Sequence, residues 1–348
     1  MASLVDYLKI VFFFKKIKLI MKVCIVGATG LVGKTMIKLL EERKFPVNQL
    51  IPAASERSTG KTITFRNNEI KVAGISEGLA AKPDIVLFSA GGKISKKFAP
   101  AFAQYGKVID NSSAWRMDPE IKLIVPEINA GVLNNNDRII ANPNCSTIQL
   151  VMVLAPLHKK YLINRIVIST YQSVSGSGAP AINQMESERK NIKPNMVYPH
   201  PIDLNCLPHC GDFTDTGYTT EEEKLVNETR KILNDQALNI TATAVRIPVL
   251  GGHSESVNIE FSKNFELHDI INLLNNSTGI KVTDDPKNNI YPMPVSSANR
   301  DEVFVGRIRR DQSRKNCLNL WIVSDNIRKG AATNAVQIAE YMLKQGLI

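Results

Sequence analysis

Short apolar runs separated by amphipathic segments run through the first 145 residues. The amphipathic segments 34–45 and 96–106 predict helices. Because strands covered on both faces are apolar throughout, the apolar runs predict buried parallel strands at 22–27 (KVCIVG), 48–55 (NQLIPAAS), 83–92 (PDIVLFSAGG), 107–113 (KVIDNSS) and 138–145 (RIIANPNC). The segment 62–75 alternates around Asn67 and Asn68, as a hairpin does. The alternation of strand and helix predicts an α/β fold with a doubly wound, Rossmann-type sheet.

The pattern changes near residue 165, where longer and partly alternating runs follow one another with fewer helical segments between them. They predict an α+β second domain with a mostly antiparallel sheet, from the runs 165–176, 239–250, 256–262, 301–310 and 316–325. The last segment, 330–348, predicts a helix that returns to the first domain. The predicted organisation is an extension over 1–20, a first domain over 21–146, a second domain over 147–329, and the C-terminal helix.

Composition narrows the classes of protein. A chain of 348 residues with 44% hydrophobic and 22% charged residues predicts a globular protein with a substantial core. Five cysteines, an odd number, favour a reducing, cytoplasmic compartment. Cys206, His209 and Cys210 lack a second ligand pair, so we predict no metal site. The net charge of +10 suits anionic ligands, but no basic run with interleaved aromatics indicates nucleic-acid binding.

The first twenty residues precede a second methionine, Met21, and the first predicted strand. Lys9, Lys15 and Lys16 interrupt their apolar stretch, which is therefore too short for a membrane span. No small-residue cleavage site of a signal peptide follows. We expect either a disordered tail or a start codon set upstream of a true start at Met21; the alternative is a surface-anchoring helix.

A glycine-rich turn, GATGLVG, follows the first predicted strand and opens a helix. Gly27, Gly30 and Gly33 permit a tight turn and a close approach of the backbone to a pyrophosphate, whose charge the helix N-terminus favours. The spacing is G-x-x-G-x-x-G instead of the usual G-x-G-x-x-G. The turn predicts a dinucleotide site, and the alternative is a tight turn without a ligand.

The end of the second predicted strand selects between the two nicotinamide dinucleotides. An acid there would hold the ribose 2′-hydroxyl of NAD. The sequence ASERSTG instead offers Ser55, Arg57 and Ser58, which suit a 2′-phosphate, whereas Glu56 would repel it unless its side chain points away. We therefore expect NADP.

Cys145, in ANPNCST (141–147), is either a reactive nucleophile or a small apolar residue at a turn. It follows the last strand of the first half, and ligands of open α/β sheets bind at the carboxyl ends of the strands. A helix that begins at Ser146 would place its positive end beside the sulfur and favour the thiolate.

His253 is the best candidate for the base that a nucleophilic cysteine needs. It follows a Gly251–Gly252 pair that breaks a strand. Arg246, seven residues earlier, would lie on the opposite face of an unbroken strand, but the break lets both side chains face one pocket. The alternative is a turn histidine without a chemical role.

Three other charged residues are candidates for a binding site. Glu221 and Lys224, three apart at the start of a predicted helix, lie on one helix face. Arg116 follows a strand end, where arginines often bind anions. The alternatives are an ordinary solvated helix face and a surface arginine.

Together these segments resemble the aspartate-semialdehyde dehydrogenase family. The similarity runs from about Met21 to the C-terminus in an ordered set of motifs: GATGLVG, ASERSTGK, NSSAWRMD, VPEIN, NPNCST, YQSVSGSGAPA, EEKLVNETRKIL, VRIPVLGGHSESV and ANRDEVFVGRIRRD. Single motifs recur in relatives of the family, but the ordered set is specific.

The resemblance implies the NADPH-dependent reductive dephosphorylation of L-4-aspartyl phosphate to L-aspartate 4-semialdehyde, in the aspartate pathway to lysine, threonine, methionine and isoleucine. It implies that Cys145 attacks the acyl phosphate, releases phosphate and carries the acyl group as a thioester. Hydride then gives a thiohemiacetal that collapses to the aldehyde. His253 would be the acid/base catalyst, and Gln172 would orient the substrate.

The resemblance also implies binding roles. The substrate carboxylate and amino group would contact Arg246 and Glu221, and the transferring phosphate would contact Arg116, Asn144 and Lys224. NADP would contact the glycine turn and three further segments, through Gly27, Thr29, Gly30, Leu31, Val32, Gly33, Ser55, Arg57, Ser58, Ser175, Gly176 and Asn299. Residues 21–146 would bind NADP, and residues 147–329 would carry catalysis and the contacts of a homodimer or homotetramer.

Two alternatives remain open from the sequence. One is another acyl-phosphate or acyl-CoA reductase, such as an N-acetyl-glutamyl-phosphate reductase, which would differ in the substrate contacts around EEEK and RIPVLGGH. The other is a non-catalytic NADP-binding protein with an unreactive Cys145. A cysteine hydrolase is disfavoured, because it has no use for a dinucleotide-binding fold.

Overall fold

The computed structural model describes residues 21–348, so the expectations for residues 1–20 lie outside the described part of the chain. The five predicted apolar runs of the first half, together with two short strands that were not predicted, form a seven-stranded parallel sheet. Across the sheet the strands are β5 (Ala73–Gly74), β2 (Gln49–Ala54), β1 (Lys22–Val26), β6 (Ile85–Phe88), β7 (Lys107–Asp110), β9 (Ile139–Ala141) and β8 (Lys122–Leu123). The strand order reverses beside β1, where α/β proteins bind ligands.

Helices cover this sheet and a small hairpin flanks it. The helices are α1 (Leu31–Glu42), α2 (Ile75–Ala80), α3 (Gly92–Phe102) and α4 (Pro126–Asn129). The hairpin joins β3 (Thr62–Phe65) to β4 (Asn68–Lys71). Its turn residues are Arg66 and Asn67, with φ of 48° and 63°, so the turn lies one residue earlier than the Asn67–Asn68 pair predicted.

A second, six-stranded sheet forms from the later runs, in the order β11 (Asn239–Arg246), β10 (Ile163–Gln172), β12 (His253–Phe261), β15 (Cys317–Ser324), β14 (Val303–Arg310) and β13 (Ile280–Val282). Its three central pairings are antiparallel, whereas β10 with β11 and β13 with β14 are parallel. The prediction of a mostly antiparallel sheet is confirmed. The two parallel pairs need crossover connections, and α7 (Thr220–Leu233) lies in the connection between β10 and β11.

The long helix α5 (Cys145–Tyr161) packs on one face of the second sheet. Ile148, Val151 and Met152 share a core with Val257 and Ile259 of β12. The remaining helices of this half are α6 (Ala179–Arg189), α8 (Leu267–Asn275) and α9 (Pro294–Ser297). The packing of α5 fixes the position of its first residue, Cys145, relative to the start of β12.

The C-terminal helix α10 (Asn334–Lys344) packs against the first sheet, where Val336 and Ile338 share a core with Val23, Ile25 and Met36. A π-helical turn, Arg328–Thr333, leads into it. Within residues 21–348, no helix has the length and apolarity needed to cross a membrane.

Candidate active site

Cys145 begins α5 at the carboxyl edge of the first sheet, four residues after the end of β9. Asn144 caps the helix: its Oδ1 accepts hydrogen bonds from the backbone N–H groups of Ser146 (2.9 Å) and Thr147 (3.3 Å). The helix therefore begins one residue earlier than predicted. Gly330 of the π-helical turn lies against the cysteine, since a methyl group there would come within 2.9 Å of the Cys145 Cβ.

A cleft of about 540 Å³ joins Cys145 to the glycine turn. Its walls come from the start of α1, the start of α5, the segment after β10 and the π-helical turn. Predicted site residues that line it are Thr29, Gly30, Leu31, Val32, Arg116, Asn144, Cys145, Ser175 and Gly176. One cavity thus holds the candidate nucleophile and much of the candidate dinucleotide site.

The glycine turn has the geometry that a dinucleotide requires. Gly27 has a φ of 90°, and a methyl group on it would lie 2.1 Å from the carbonyl oxygen of Ser89. A methyl group on Gly33 would lie 2.2 Å from the Gly27 carbonyl oxygen. Gly30 caps α1 without a side-chain hydrogen bond, so the first N–H groups of α1 are available to a phosphate.

A second cavity, of about 770 Å³, lies beyond the end of β2 and is bordered by Ser55, Glu56 and Arg57. Glu56 borders this cavity together with Arg57, and the expectation that its side chain points away from a 2′-phosphate stays a prediction. The Thr29 hydroxyl lies 3.4 Å from that of Ser58. Asn299 is exposed and is not among the residues that line either cavity; its role stays a prediction.

His253 is fully buried at the start of β12. Its Nδ1 lies 3.1 Å from both the backbone nitrogen and the hydroxyl of Ser173. The backbone N–H donates to Nδ1, and the hydroxyl can donate or accept. Asn326 Oδ1 accepts from the Ser173 hydroxyl (3.1 Å) and from the Gly252 N–H (2.9 Å). Ser173 and Asn326 therefore orient the ring, and sequence reasoning missed both of them.

The free nitrogen of His253 lies behind Gly176, a residue of the cleft wall. Nε2 has no hydrogen-bond partner within residues 21–348. A methyl group built on Gly176, which lines the cleft, would lie 3.2 Å from Nε2 and 3.0 Å from Arg246 Nη1. The chain thus brings Arg246 and His253 to one pocket, as the glycine break predicted. Burial, with a smaller contribution from Arg246, lowers the pKa of His253 to about 3, so the ring is neutral.

Glu221 is the centre of a buried polar cluster at the start of α7. Its Oε1 accepts hydrogen bonds from Asn144 Nδ2 (2.9 Å) and Gln172 Nε2 (3.4 Å), and its Oε2 pairs with Lys224 Nζ (2.9 Å). Burial acts to raise the pKa of Glu221, but Lys224, Asn144 and Arg246 outweigh it and hold the pKa at about 2. Glu221 therefore remains a carboxylate.

Arg116 is buried beside Cys145 and is held by three contacts. Nε donates to the Asn142 carbonyl (2.9 Å), Nη2 to that of Asn111 (2.8 Å), and Nη1 pairs with Glu228 Oε1 (3.0 Å). Glu228 Oε2 also accepts from the backbone N–H of Asn144 (2.7 Å). Sequence reasoning missed Glu228, although its spacing of seven from Glu221 puts both on one face of α7.

The Cys145 thiol is protonated in this structure. Burial, and then the Glu221 carboxylate, raise its pKa to about 12, against opposing effects from Arg116 and Arg246. The direction of this shift opposes the thiolate expected at the helix N-terminus, because desolvation of the half-buried side chain and one carboxylate outweigh the helix dipole. Nucleophilic chemistry at Cys145 needs a proton acceptor.

Cys206 and Cys210, for which the sequence predicts no metal site, lie in different environments. Cys206 is exposed, whereas Cys210 is buried, and all five cysteines are free thiols. Burial raises the pKa of Cys210 to about 11, with Arg246 opposing and Glu221 adding to the effect. Cys210 thus lies close to the candidate substrate pocket.

Both halves of the chain match models of one protein class. Residues 22–136 match the semialdehyde dehydrogenase NAD-binding domain, and residues 154–329 match the semialdehyde dehydrogenase dimerisation domain. With the dinucleotide fold and the cysteine cleft, these matches define a two-domain oxidoreductase of the semialdehyde dehydrogenase class.

Individual relatives narrow the class further. The chain is 52% identical to the aspartate-semialdehyde dehydrogenase of Aquifex aeolicus, over 94% of this chain and 99% of the relative. It is 48% identical to that of Legionella pneumophila, over 94% and 97%. The crystal structure of aspartate semialdehyde dehydrogenase II of Vibrio cholerae, complexed with ASA, is 42% identical and matches with a TM-score of 0.89 over 93% of this chain and 98% of that one. The chain belongs to the aspartate-semialdehyde dehydrogenase family, which confirms the resemblance drawn from its motifs.

Proposed function

We propose that the protein catalyses the NADPH-dependent reduction of L-4-aspartyl phosphate to L-aspartate 4-semialdehyde and phosphate. The observation that carries the proposal is the cleft that joins the glycine turn to Cys145, with the unpartnered Nε2 of His253 close to Gly176 in its wall. Family membership favours this reaction over that of an N-acetyl-glutamyl-phosphate reductase.

In the first half of the reaction, Cys145 accepts the acyl group. The ring first moves its own proton from Nε2 to Nδ1, where the Ser173 hydroxyl accepts it in place of the contact from the Ser173 backbone N–H. The thiol proton then passes to His253 Nε2, and the sulfur attacks the acyl carbon. The bond between that carbon and the phosphate oxygen breaks, giving a thioester on Cys145 and free phosphate, which leaves with the proton. A ring with a pKa near 3 is unprotonated at neutral pH but is a weak base, so the transfer depends on the negative phosphate of the bound substrate, which raises the pKa of His253.

In the second half, the protein holds the thioester and returns the thiol. The reduced cofactor, when bound, supplies a hydride to the acyl carbon. His253, recharged with one proton from solvent, protonates the resulting oxyanion and takes the proton back as the carbon–sulfur bond breaks. The departing thiolate then receives this proton, and the aldehyde leaves. The Ser173 hydroxyl can accept a hydrogen bond from a protonated Nδ1 or donate one to an unprotonated Nδ1. It can therefore stay hydrogen-bonded to the ring in either tautomer.

We assign the substrate contacts to the buried charges around the cleft. Arg246 binds the carboxylate of the substrate and Glu221 its ammonium group, with Gln172 orienting the reacting carbonyl. Arg116, Asn144 and Lys224 bind the phosphate. Asn144 and Lys224 already bond to Glu221, so in this assignment they lie between the ammonium and phosphate positions.

The cofactor residues proposed are the glycine turn, the end of β2 and the segment after β10. Arg57, Ser55 and Ser58 bind the 2′-phosphate of NADP. Glu56 lowers the preference for NADP over NAD without abolishing it, because it borders the same cavity.

We further propose a homodimer, or a tetramer built from it, in the cytoplasm. The match to a dimerisation domain supports the homodimer. The face of the second sheet turned away from α5 carries a cavity of about 340 Å³ lined by Ser256, Tyr291, Met293 and Trp321, which suits a protein contact. The five free thiols support a reducing compartment.

The test is the reverse reaction. Purified protein should reduce NADP when given aspartate semialdehyde and phosphate, and the rate without phosphate should be negligible. Cys145→Ser should abolish turnover while NADPH still binds. Phosphate-independent turnover, or full activity of Cys145→Ser, would refute the proposal, and parallel assays with NAD measure the cofactor preference.

A further inference from the structure

Two polar side chains without an assigned role lie directly beneath the reacting pair. Gln149 of α5 and Glu255 of β12 are both fully buried. Neither oxygen of Glu255 nor either amide atom of Gln149 has a hydrogen bond of normal geometry within residues 21–348. Buried polar atoms without partners are uncommon in native proteins, so each such group calls for a specific explanation.

The spacing in both elements puts this second pair one layer below the first. Gln149 follows Cys145 by four residues, on the same helix face and about 6 Å farther along α5. Glu255 follows His253 by two residues, on the same strand face and about 7 Å farther along β12. Both elements run away from the cleft, and the Gln149 side chain lies close enough to Glu255 to affect its ionisation.

The Glu255 carboxyl is a neutral acid. No cation pairs with it in the described residues, and its strand partner on β10 is the buried Thr170. Burial raises its pKa well above the usual value, and the Gln149 amide opposes this to a lesser extent. An isolated carboxylate in such a place would be costly, whereas a carboxylic acid can both donate to and accept from an amide.

We propose that Gln149 and Glu255 form a positioning pair that links the second turn of α5 to the start of β12 and so sets the positions of Cys145 and His253 relative to each other. The acid and the amide are complementary in donors and acceptors, and each sits on the element that carries one reacting group. This inference rests on the proposed reaction at Cys145. The pair itself contacts neither substrate nor cofactor.

Variants at both positions test the pair through turnover and thiol reactivity. Glu255→Leu should lower kcat on the order of 10- to 100-fold, the loss that a displacement of about 1 Å causes, with KM values for phosphate and NADP within about twofold. Glu255→Gln, which keeps a neutral donor and acceptor, should stay within about threefold. The swapped variant Gln149→Glu/Glu255→Gln restores one acid and one amide and should also be active. In each variant, the rate of Cys145 alkylation by iodoacetamide should change in the same direction as kcat.

Ser254→Ala is the matched control. Ser254 is the neighbouring residue on β12, is equally buried and has an unpartnered hydroxyl, but it points to the other face of the sheet. Its kcat should equal that of the wild type. Full activity of Glu255→Leu, a Glu255→Gln variant as impaired as Glu255→Leu, or an equal loss in Ser254→Ala would overturn the proposal.

Two further results distinguish a folding defect of a variant, or a failure of the proposed reaction, from a failure of the positioning pair. If Glu255→Leu does not fold, the swapped variant decides, because an inactive but folded swap contradicts the pairing. If the wild type shows no phosphate-dependent turnover, the proposed reaction fails by itself. The alkylation rates of Cys145 in the wild type and in Glu255→Leu then still test the pair, since alkylation needs no substrate.

Discussion

Replacing His253 by glutamine should make the protein less sensitive to acid. The imidazole is fully buried, and burial with the charge of Arg246 lowers its pKa to about 3, whereas an unfolded histidine has a pKa of about 6.5. Between these two values the unfolded chain binds a proton at this position and the folded chain does not. The stability that His253 provides as a neutral ring is therefore present above pH 6.5 and is lost as the pH falls.

The magnitude follows from the two pKa values. At pH 7.5 both states of the ring are mainly neutral, and the linkage term is below about 0.1 kcal/mol. At pH 5.0 protonation of the unfolded state costs the folded protein about 2 kcal/mol. This loss of stability at pH 5.0 depends little on the pKa of His253 in the folded protein, because any folded pKa below about 4 leaves the buried ring neutral at pH 5.0. Glu221 adds little in this range, since its unfolded form titrates at lower pH.

Urea denaturation at pH 7.5 and pH 5.0, at one protein concentration to hold oligomerisation constant, measures the effect. Between pH 7.5 and pH 5.0 the free energy of unfolding should fall for both proteins, and the fall should be about 2 kcal/mol smaller for His253→Gln than for the wild type. The control is His268→Gln, whose side chain is 74% exposed and should leave the fall unchanged. Equal falls for the wild type and His253→Gln would refute the buried, neutral ring.

Three further changes test other parts of the site. Gly33→Ala should abolish NADP binding and destabilise the first domain, because the new methyl would lie 2.2 Å from the Gly27 carbonyl oxygen; cofactor titration and thermal melting measure both effects. Arg57→Ala should raise the KM for NADP by about tenfold and leave that for NAD unchanged, as loss of one charge-assisted hydrogen bond predicts; an equal change with both cofactors would contradict the 2′-phosphate contact. Glu228→Gln should lower kcat/KM for phosphate by about tenfold, since it loosens Arg116 and the Asn144 backbone.

The first half of the fold was predictable because its strands are buried on both faces and carry a continuous apolar signal. The second sheet was predictable only in its central part. Its outer parallel pairs depend on where the connections from β10 to β11 and from β13 to β14 lead, and no local pattern encodes that. The β10–β11 pairing, which sets Gln172 beside Arg246, joins segments more than sixty residues apart.

The site was predictable where a residue type stands out in its local sequence. Cys145, His253 and the glycine turn have such signals. Glu228, Ser173 and Asn326 do not, since a glutamate in a charged helix and hydroxyl or amide residues in loops resemble ordinary surface positions. Their roles follow from burial and from partners such as Arg116 and His253, which only the folded chain brings near.

The protonation state of Cys145 illustrates why sequence proximity misleads. The helix that begins at Cys145 is a local feature, and its dipole favours a thiolate by about 1 kcal/mol or less at an exposed site. The opposing effects are burial under the π-helical turn and the charge of Glu221, which α7 carries 76 residues farther along the chain. These long-range effects dominate, so the thiol is neutral. A neutral thiol becomes a nucleophile only by giving its proton to a partner, which makes the orientation of His253, and the side chains that maintain it, part of the chemistry.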